Sequence, residues 1–284
     1  MAQPHFIKGP LCLFDLETDS KEPDDAHLIE AAMIHVNPVR ARWEKVWLAR
    51  PSRPIPDEAA GVHGITTARA MTEGRPRDQV LAEVLAELAR WGPNCPLIAH
   101  NANYDLTVLD RELGRELGTE LEIRGPVIDT LLIDKCCDKW RPGSRQLADT
   151  VAHYRLTLNR AHSALADALA AGQVAWRIST QVRWPHGRYG PDALEREARV
   201  MMAGGDAVAL HRAQVRWYAQ TQRELAAYFR TSKAVESIER KVRERRLTRH
   251  AADAAIRELP SAADRAELLA DGGWPLRPRV LTTT

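Results

Sequence analysis

Leu11, Cys12, Leu13 and Phe14 run directly into Asp15, Leu16, Glu17 and Thr18, and this junction constrains the fold more than any other stretch of the chain. Side chains in a strand alternate between faces, so Leu11 and Leu13 share a face with Asp15 and Glu17, while Cys12, Phe14 and Leu16 take the other. The segment is therefore apolar on both sides until the acids begin, the pattern of a buried strand. The alpha carbons of Asp15 and Glu17 then lie roughly 6.5 Å apart, close enough for their carboxylates to converge on one ion. Two carboxylates at the end of a buried strand are unfavourable unless cations or hydrogen-bond donors compensate. The alternative is a strand that stops at Phe14 and leaves both acids solvated.

Leu28 to Val36 and Trp43 to Ala49 are two more apolar runs of strand length, and the polar segment 19–27 between the first two strands reads as a loop. No helix separates the three, so they form an antiparallel meander. Pro51, Pro54 and Pro56 then break regular structure. Val80, Leu81, Val84, Leu85, Leu88 and Trp91 recur at helical spacing, with Gly92 and Pro93 as the stop. Pro96 to Ala99 reads as a short strand, Asn103 to Gly118 as a helix, and Val127 to Asp129 as a further strand. A meander followed by alternating strands and helices predicts an α/β fold with a mixed sheet, the antiparallel strands beside parallel ones and helices on the faces.

At 284 residues, 44% apolar and 27% charged, the chain can build one full α/β domain with an appendage, and disorder is not expected. Residues 1–180 are read as the first domain and 181–284 as a mainly helical C-terminal extension. Pro185 and Gly187 to Pro191 mark the linker, and helical patterns cover Ala193 to Met202 and Asp206 to Arg230. Glu239 to Arg249 holds six basic and two acidic residues, with Val235, Ile238 and Val242 on one stripe of a single helix. The net charge of +2 does not by itself point to nucleic acid, but a local basic patch can bind phosphate. The four cysteines lack C-x-x-C spacing and read as reduced thiols. Residues 1–10 contain no apolar run of signal-peptide length, and no segment is long and apolar enough for a membrane span. A cytoplasmic location without a membrane partner is expected.

Two further stretches carry polar groups suited to chemistry. Asp105 follows the short strand closely, within AHNANYD (99–105), and has His100, Asn101 and Asn103 nearby. Taken alone it reads as a capping carboxylate at a helix N-terminus. In HSALADA (162–168), His162 precedes a helix that Ser163 would cap, and Asp167 projects from the helix's second turn. A lone histidine before an Ala-rich helix is ordinary surface chemistry. An imidazole that titrates near neutral pH is also a suitable general base for a water molecule, without itself touching a metal.

Taken together, the order D-x-E, then D, then H-x4-D resembles the DEDDh 3′ to 5′ exonucleases, a superfamily that includes the proofreading epsilon subunit of bacterial DNA polymerase III. FDLETDS (14–20) matches the first exonuclease motif, AHNANYDLTVLDREL (99–113) the second and HSALADA the third. IPDEAAGVHGIT (55–66) and VIDT (127–130) also resemble family segments, and the likeness extends from Pro10 to Arg177. It implies a ribonuclease-H-like fold. It also implies that Asp15, Glu17, Asp105 and Asp167 hold two Mg²⁺ or Mn²⁺ ions about 3.5 to 4 Å apart, with Asp15 bridging them. His162 would deprotonate the attacking water, and nucleoside 5′-monophosphates would leave from a 3′ end. Leu16, Thr18, His63, Asn101 and Tyr104 would contact the terminal nucleotide. Ser20 stands where the family often has glycine and Tyr104 where it often has phenylalanine, which bears on the shape of that pocket.

The function expected from these residues is a metal-dependent 3′ to 5′ exonuclease acting on single-stranded or frayed DNA ends, with a polymerase or repair protein as partner. An RNA-trimming exonuclease would use the same motifs. A non-catalytic nucleic-acid-binding adaptor would keep the scaffold and bind without cutting. A ribonuclease-H-like or integrase-like endonuclease would also cluster acids on this fold, but would not need His162. In the extension, Val215, Tyr218, Leu225 and Phe229 are expected to pack the helices against the first domain or against a second copy in a homodimer. Arg240, Lys241, Arg243, Arg245, Arg246 and Arg249 are expected to guide nucleic acid or a partner.

Overall fold

The computed structural model describes residues 5–91, 95–158, 162–181 and 191–278. Strands β1 (Leu11–Thr18), β2 (Leu28–Asn37) and β3 (Arg40–Leu48) form the antiparallel meander, with Leu11 opposite Val36 and Glu17 opposite Glu30. Strands β4 (Leu97–Ala99) and β5 (Val127–Asp129) run parallel to β1, giving the order β3-β2-β1-β4-β5. This is the mixed sheet expected from the sequence. Because β1 lies between β2 and β4, Leu11, Cys12, Leu13, Phe14 and Leu16 are all buried.

Two short helices, α1 (Asp57–His63) and α2 (Thr67–Glu73), follow the proline-rich segment after β3. Seven-residue helices carry too little periodicity to be read from sequence. Next come α3 (Arg77–Trp91), α4 (Ala102–Leu117), α5 (Thr130–Cys137), α6 (Leu147–His153) and α7 (Ala164–Ser179). The Gly92 and Pro93 stop expected after α3 lies outside the described residues. Cys12 lines a small cavity with Leu88 of α3 and Leu106 of α4, so those two helices cover one face of β1.

Helix α7 packs against β1, β2 and β4. Its buried residues include Ala164, Ala168, Ala171, Gly172 and Ala175, small side chains that allow close approach. A Cβ placed on Gly172 would stand only 2.7 Å from Cδ1 of Leu13. Leu13 shares its face with Asp15 and Glu17, so this contact brings the start of α7, with Asp167, toward the acidic end of β1.

Beyond α7 lie α8 (Ala193–Gly204), α9 (Ala207–Phe229), α10 (Ser232–Arg243) and α11 (Arg249–Ala270). The chain forms two compact units, Met1–Gln214 and Val215–Thr284. The division between these compact units lies inside α9, for two physical reasons. Helix α8 packs against α5 and α7. Gln214 accepts the N–H of Asp129 (2.8 Å) and donates to the carbonyl of Val127 (2.9 Å), occupying backbone groups of the edge strand β5. The expected linker at Pro185 and Gly187–Gly190 lies outside the described residues.

In the second unit the single basic helix expected over 239–249 is interrupted. The N–H of Arg246 bonds the carbonyl of Lys241 (2.8 Å), Arg245 takes a left-handed φ of 55°, and Thr248 caps α11. This is helix termination by a left-handed residue, a role usually filled by glycine and therefore unsignalled here. No helix among the described residues is long and apolar enough to cross a membrane.

Candidate active site

Carboxylate oxygens of Asp15, Glu17 and Asp167 all lie within 4.8 Å of one another. Strand alternation places the first two, and the close seating of α7 on Leu13 supplies the third. Oε1 of Glu17 and Oδ1 of Asp167 are buried and have no hydrogen-bond partner. Buried polar atoms are almost always satisfied, so orphaned oxygens on two carboxylates of this cluster call for a ligand.

Asp105 reaches the same strand end from α4. It is 4% exposed, and its Oδ1 accepts the N–H of Leu16 at 3.2 Å, between the two acids of β1. Asp105 also stands in the first turn of α4 and its carboxylate interacts with its own N–H, so the helix-end role and the reach to Leu16 coexist. The N-cap of α4 is Asn101, in a left-handed conformation at φ 72°, and the N–H of Asn101 is held by Oδ1 of Asp129 at 3.0 Å.

The electrostatics follow from this crowding. Burial, then the charges of Asp105, Glu17, Asp167 and Glu30, hold the Asp15 carboxyl well above the usual carboxylate range. Burial and the neighbouring Asp167 and Glu30 push Glu17 up to about 8. Burial raises Asp105 despite the Leu16 N–H, and raises Asp167 despite the N–H of His162. Such shifts mean that the ionised site lacks compensating positive charge. Three converging carboxylates, with the buried Asp105 beside them on α4 but outside that trio, suit hard divalent cations, which take oxygen ligands. The donor set and the orphaned oxygens both fit that group.

His162 is exposed and adopts a left-handed φ of 64°, and its N–H bonds Oδ2 of Asp167 at 3.2 Å. Its ring is near enough to act on the ionisation of both Asp167 and His63. His63 ends α1 and is buried, with Nδ1 accepting the N–H of Ile65 (3.1 Å). Burial holds its imidazole below the usual range, the Thr18 backbone opposes this and His162 adds to it. Thr18, His63, His162 and Asp167 thus belong to one neighbourhood.

Thr18 Oγ1 meets the Tyr104 hydroxyl at 2.5 Å and the carbonyl of Ser20 at 3.1 Å. Tyr104 also hydrogen-bonds the Ser20 carbonyl. The two departures from the family pattern, Ser20 and Tyr104, are therefore bonded to each other and to Thr18. Leu16 has its N–H taken by Asp105 and its side chain buried on the face opposite the acids, which leaves that N–H unavailable to a nucleotide. The Asn101 side chain is exposed.

Three further residues support the site without having been singled out in the sequence. Glu30 stands directly opposite Glu17 on β2 and raises both Asp15 and Glu17. Burial lifts its own carboxyl, while the N–H of Ala164, the first residue of α7, and the charge of Arg69 oppose the rise. Asp129 caps α5 through Leu131 (2.9 Å) and Leu132 (3.3 Å) while holding Asn101. Asp19 anchors the loop after β1 through Arg53 (2.6 and 3.1 Å) and the His27 N–H (2.8 Å). Burial would raise the Asp19 carboxyl, but Arg53 and His27 hold it below the ordinary range. Asp19 and Asp129 lie within the family-like segments FDLETDS and VIDT, whereas a lone acid in an apolar run was the only signal for Glu30.

Comparison with known proteins places the chain in a family and a fold. The family model described as "Exonuclease" matches residues 12–175. A DNA polymerase III PolC-type protein of Thermotoga petrophila is 31% identical over 173 residues, covering 61% of this chain and 12% of that protein. A DNA polymerase III subunit epsilon-like protein of Rhodobacter capsulatus is 29% identical over 185 residues, covering 63% and 25%. The matched region thus spans a quarter or less of these relatives. Among solved structures, one of exonuclease I superposes with a TM-score of 0.55 at 18% identity, covering 61% of this chain and 41% of that one. Escherichia coli exonuclease I in complex with a dT13 oligonucleotide gives 0.52 at 16% identity, with the same coverage. At these identities the superpositions speak to the fold, which is ribonuclease-H-like. The sequence match extends over more than half of the chain and contains all four carboxylates and His162, and on that basis the chain belongs to the exonuclease family.

Proposed function

We propose that the protein is a metal-dependent 3′ to 5′ exonuclease that shortens single-stranded or frayed DNA and releases nucleoside 5′-monophosphates. The observation that carries this reading is the convergence of Asp15, Glu17 and Asp167 with two buried, unpartnered oxygens at the end of β1. Asp105 completes the set through its bond to Leu16.

Asp15, Glu17, Asp105 and Asp167 would hold two Mg²⁺ or Mn²⁺ ions, and the charges of the other three acids all act on Asp15. Such ions, when bound, neutralise phosphate charge and stabilise both the attacking and the departing oxygen. His162 takes the proton from the attacking water as its oxygen bonds to phosphorus. The P–O3′ bond breaks and the departing O3′ takes a proton from solvent, leaving a 3′-hydroxyl on the shortened strand and the phosphate on the released nucleotide. The Asp167 carboxylate fixes the His162 backbone, which restrains where the ring can stand. Thr18, His63 and Tyr104 line the place of the terminal nucleotide.

DNA is favoured because the relatives are named as DNA polymerase III proteins and a structural neighbour is described bound to dT13. The same names make a polymerase the proposed partner. Asp15→Asn and Asp167→Asn should abolish mononucleotide release from 5′-labelled DNA while leaving the chain folded, with the circular dichroism spectrum of the parent. Full release by either variant contradicts the reading. Faster shortening of a matched RNA strand would move the substrate assignment and leave the chemistry in place.

A further inference from the structure

The corner between α10 and α11 is almost wholly cationic. Residues Glu239 to Arg249 carry a formal +4, twice the +2 of the entire chain, so the remainder of the protein is net acidic. Helix α10 ends at Arg243, and the backbone turns through Arg245 and Arg246 before α11 starts at Arg249. The interruption gathers Arg243, Arg245 and Arg246 around one exposed turn instead of distributing them along a helix face.

Local acids do not neutralise this corner. Both oxygens of Glu239 are occupied by Arg249, at 2.6 and 2.9 Å. Glu244 lies 3.4 Å from Arg246 and 3.9 Å from Arg240, so one carboxylate is shared by two guanidinium groups. Lys241 and Arg245 have no ion-pair partner among the described residues, Arg243 shares the charge of Glu239 only beyond ion-pair distance, and Arg249 also approaches Asp253 at 3.8 Å. Val242 and Leu247 are half-buried and anchor the turn, whereas every cation around them is exposed. Like charges held this close repel one another, and an anionic partner relieves the repulsion.

We propose that this corner binds the phosphate backbone of a nucleic-acid strand, through residues none of which belongs to the carboxylate site. Guanidinium forks match phosphate oxygens in geometry and charge. An acidic protein surface would also be attracted, but protein interfaces rest on buried apolar or aromatic anchors. This turn presents none, and phosphate binding requires only charge. Binding of this kind is independent of base sequence and steeply sensitive to salt.

The inference rests on nucleic acid being the substrate class, yet it can be read without cleavage. The full chain carrying Asp15→Asn is titrated against a 5′-labelled single-stranded DNA by fluorescence anisotropy over a series of salt concentrations. Adding Arg243→Gln, Arg245→Gln and Arg246→Gln should flatten the slope of log affinity against log salt by about 2, from three lost contacts at about 0.7 each. The corresponding lysine triple should recover most of the slope. Arg90→Gln, Arg124→Gln and Arg196→Gln, which remove equal charge elsewhere on the surface, should leave it nearly unchanged. An unaltered slope in the corner variant, an equal loss in the control, or no measurable binding overturns the proposal. So does a corner variant that loses affinity for polyglutamate but keeps its DNA slope, which would assign the corner to an acidic protein. Steep, corner-dependent binding by a protein whose parent does not cleave would refute the nuclease reading alone.

Discussion

Replacing Glu17 by glutamine should stabilise the metal-free protein while weakening its response to metal. Glu17 is 9% exposed, its Oε1 has no partner, and its carboxyl titrates near 8 instead of 4.5. Between those values the folded protein keeps a proton that the unfolded chain has released. Stability linked to this group is therefore fully present below pH 4.5 and is lost as pH rises toward 8. Each pH unit of that window corresponds to about 1.4 kcal/mol, so the whole amounts to about 5 kcal/mol, of which about 3 is already lost at pH 7. Coupling to Asp15 and Asp167 spreads the titration over the cluster without changing its sign. Glutamine cannot ionise and escapes this loss. In EDTA the variant should melt about 5 to 10 °C above the parent at pH 7, with the two curves converging toward pH 5. Adding Mg²⁺ should stabilise the parent more than the variant. Thermal unfolding followed by circular dichroism reads all of this. A parent equally stable at pH 5 and pH 8 in EDTA, or a variant less stable than the parent at pH 7, would refute the reasoning.

Three other perturbations probe how the site is held. Gly172→Val forces side-chain atoms into the space of Leu13 and should cost about 1 to 3 kcal/mol through overpacking. Because α7 carries Asp167, the same variant should bind Mn²⁺ more weakly by calorimetry, and unchanged melting and affinity would contradict the close-packing explanation. Glu30→Ala removes the acceptor facing the Ala164 N–H and should lower kcat about three- to tenfold, as expected for loss of a helix first-turn acceptor. Glu30→Gln retains an acceptor and should stay near the parent rate, so equal losses in both would point to charge instead of position. Tyr104→Phe breaks the contacts to Thr18 and Ser20 and should raise KM about fivefold with kcat little changed, at about 1 kcal/mol for a lost hydrogen bond. Unaltered steady-state constants would show that the hydroxyl does not shape the pocket.

What was legible in the sequence, and what was not, divides along physical lines. Period-two alternation suffices to put Asp15 and Glu17 on one face, and the meander followed by alternation suffices for a mixed sheet. Strand register is a tertiary property, so nothing in LIEAAMIHV (28–36) marks Glu30 as the residue opposite Glu17. For Asp105 the local signal of a helix N-terminal carboxylate accounts for only part of its bonding, because its Oδ1 also reaches across to Leu16. Only the packing of α4 against the strand end reveals that contact. The break between α10 and α11 was hidden because an arginine, Arg245, occupies the left-handed position where glycine would have announced a helix end. The compact unit extends to Gln214 because one side chain satisfies backbone groups of β5, a bond that no composition shift records.

The most direct test of the central claim is a time course on 5′-labelled linear DNA beside a circular single strand of the same sequence, with Mg²⁺ and with EDTA. The account predicts a ladder shortening from the 3′ end of the linear strand, nucleoside 5′-monophosphates as product, an intact circle, and no reaction in EDTA or with Asp15→Asn. Cutting of the circle, shortening from the 5′ end, or equal activity in EDTA would contradict it.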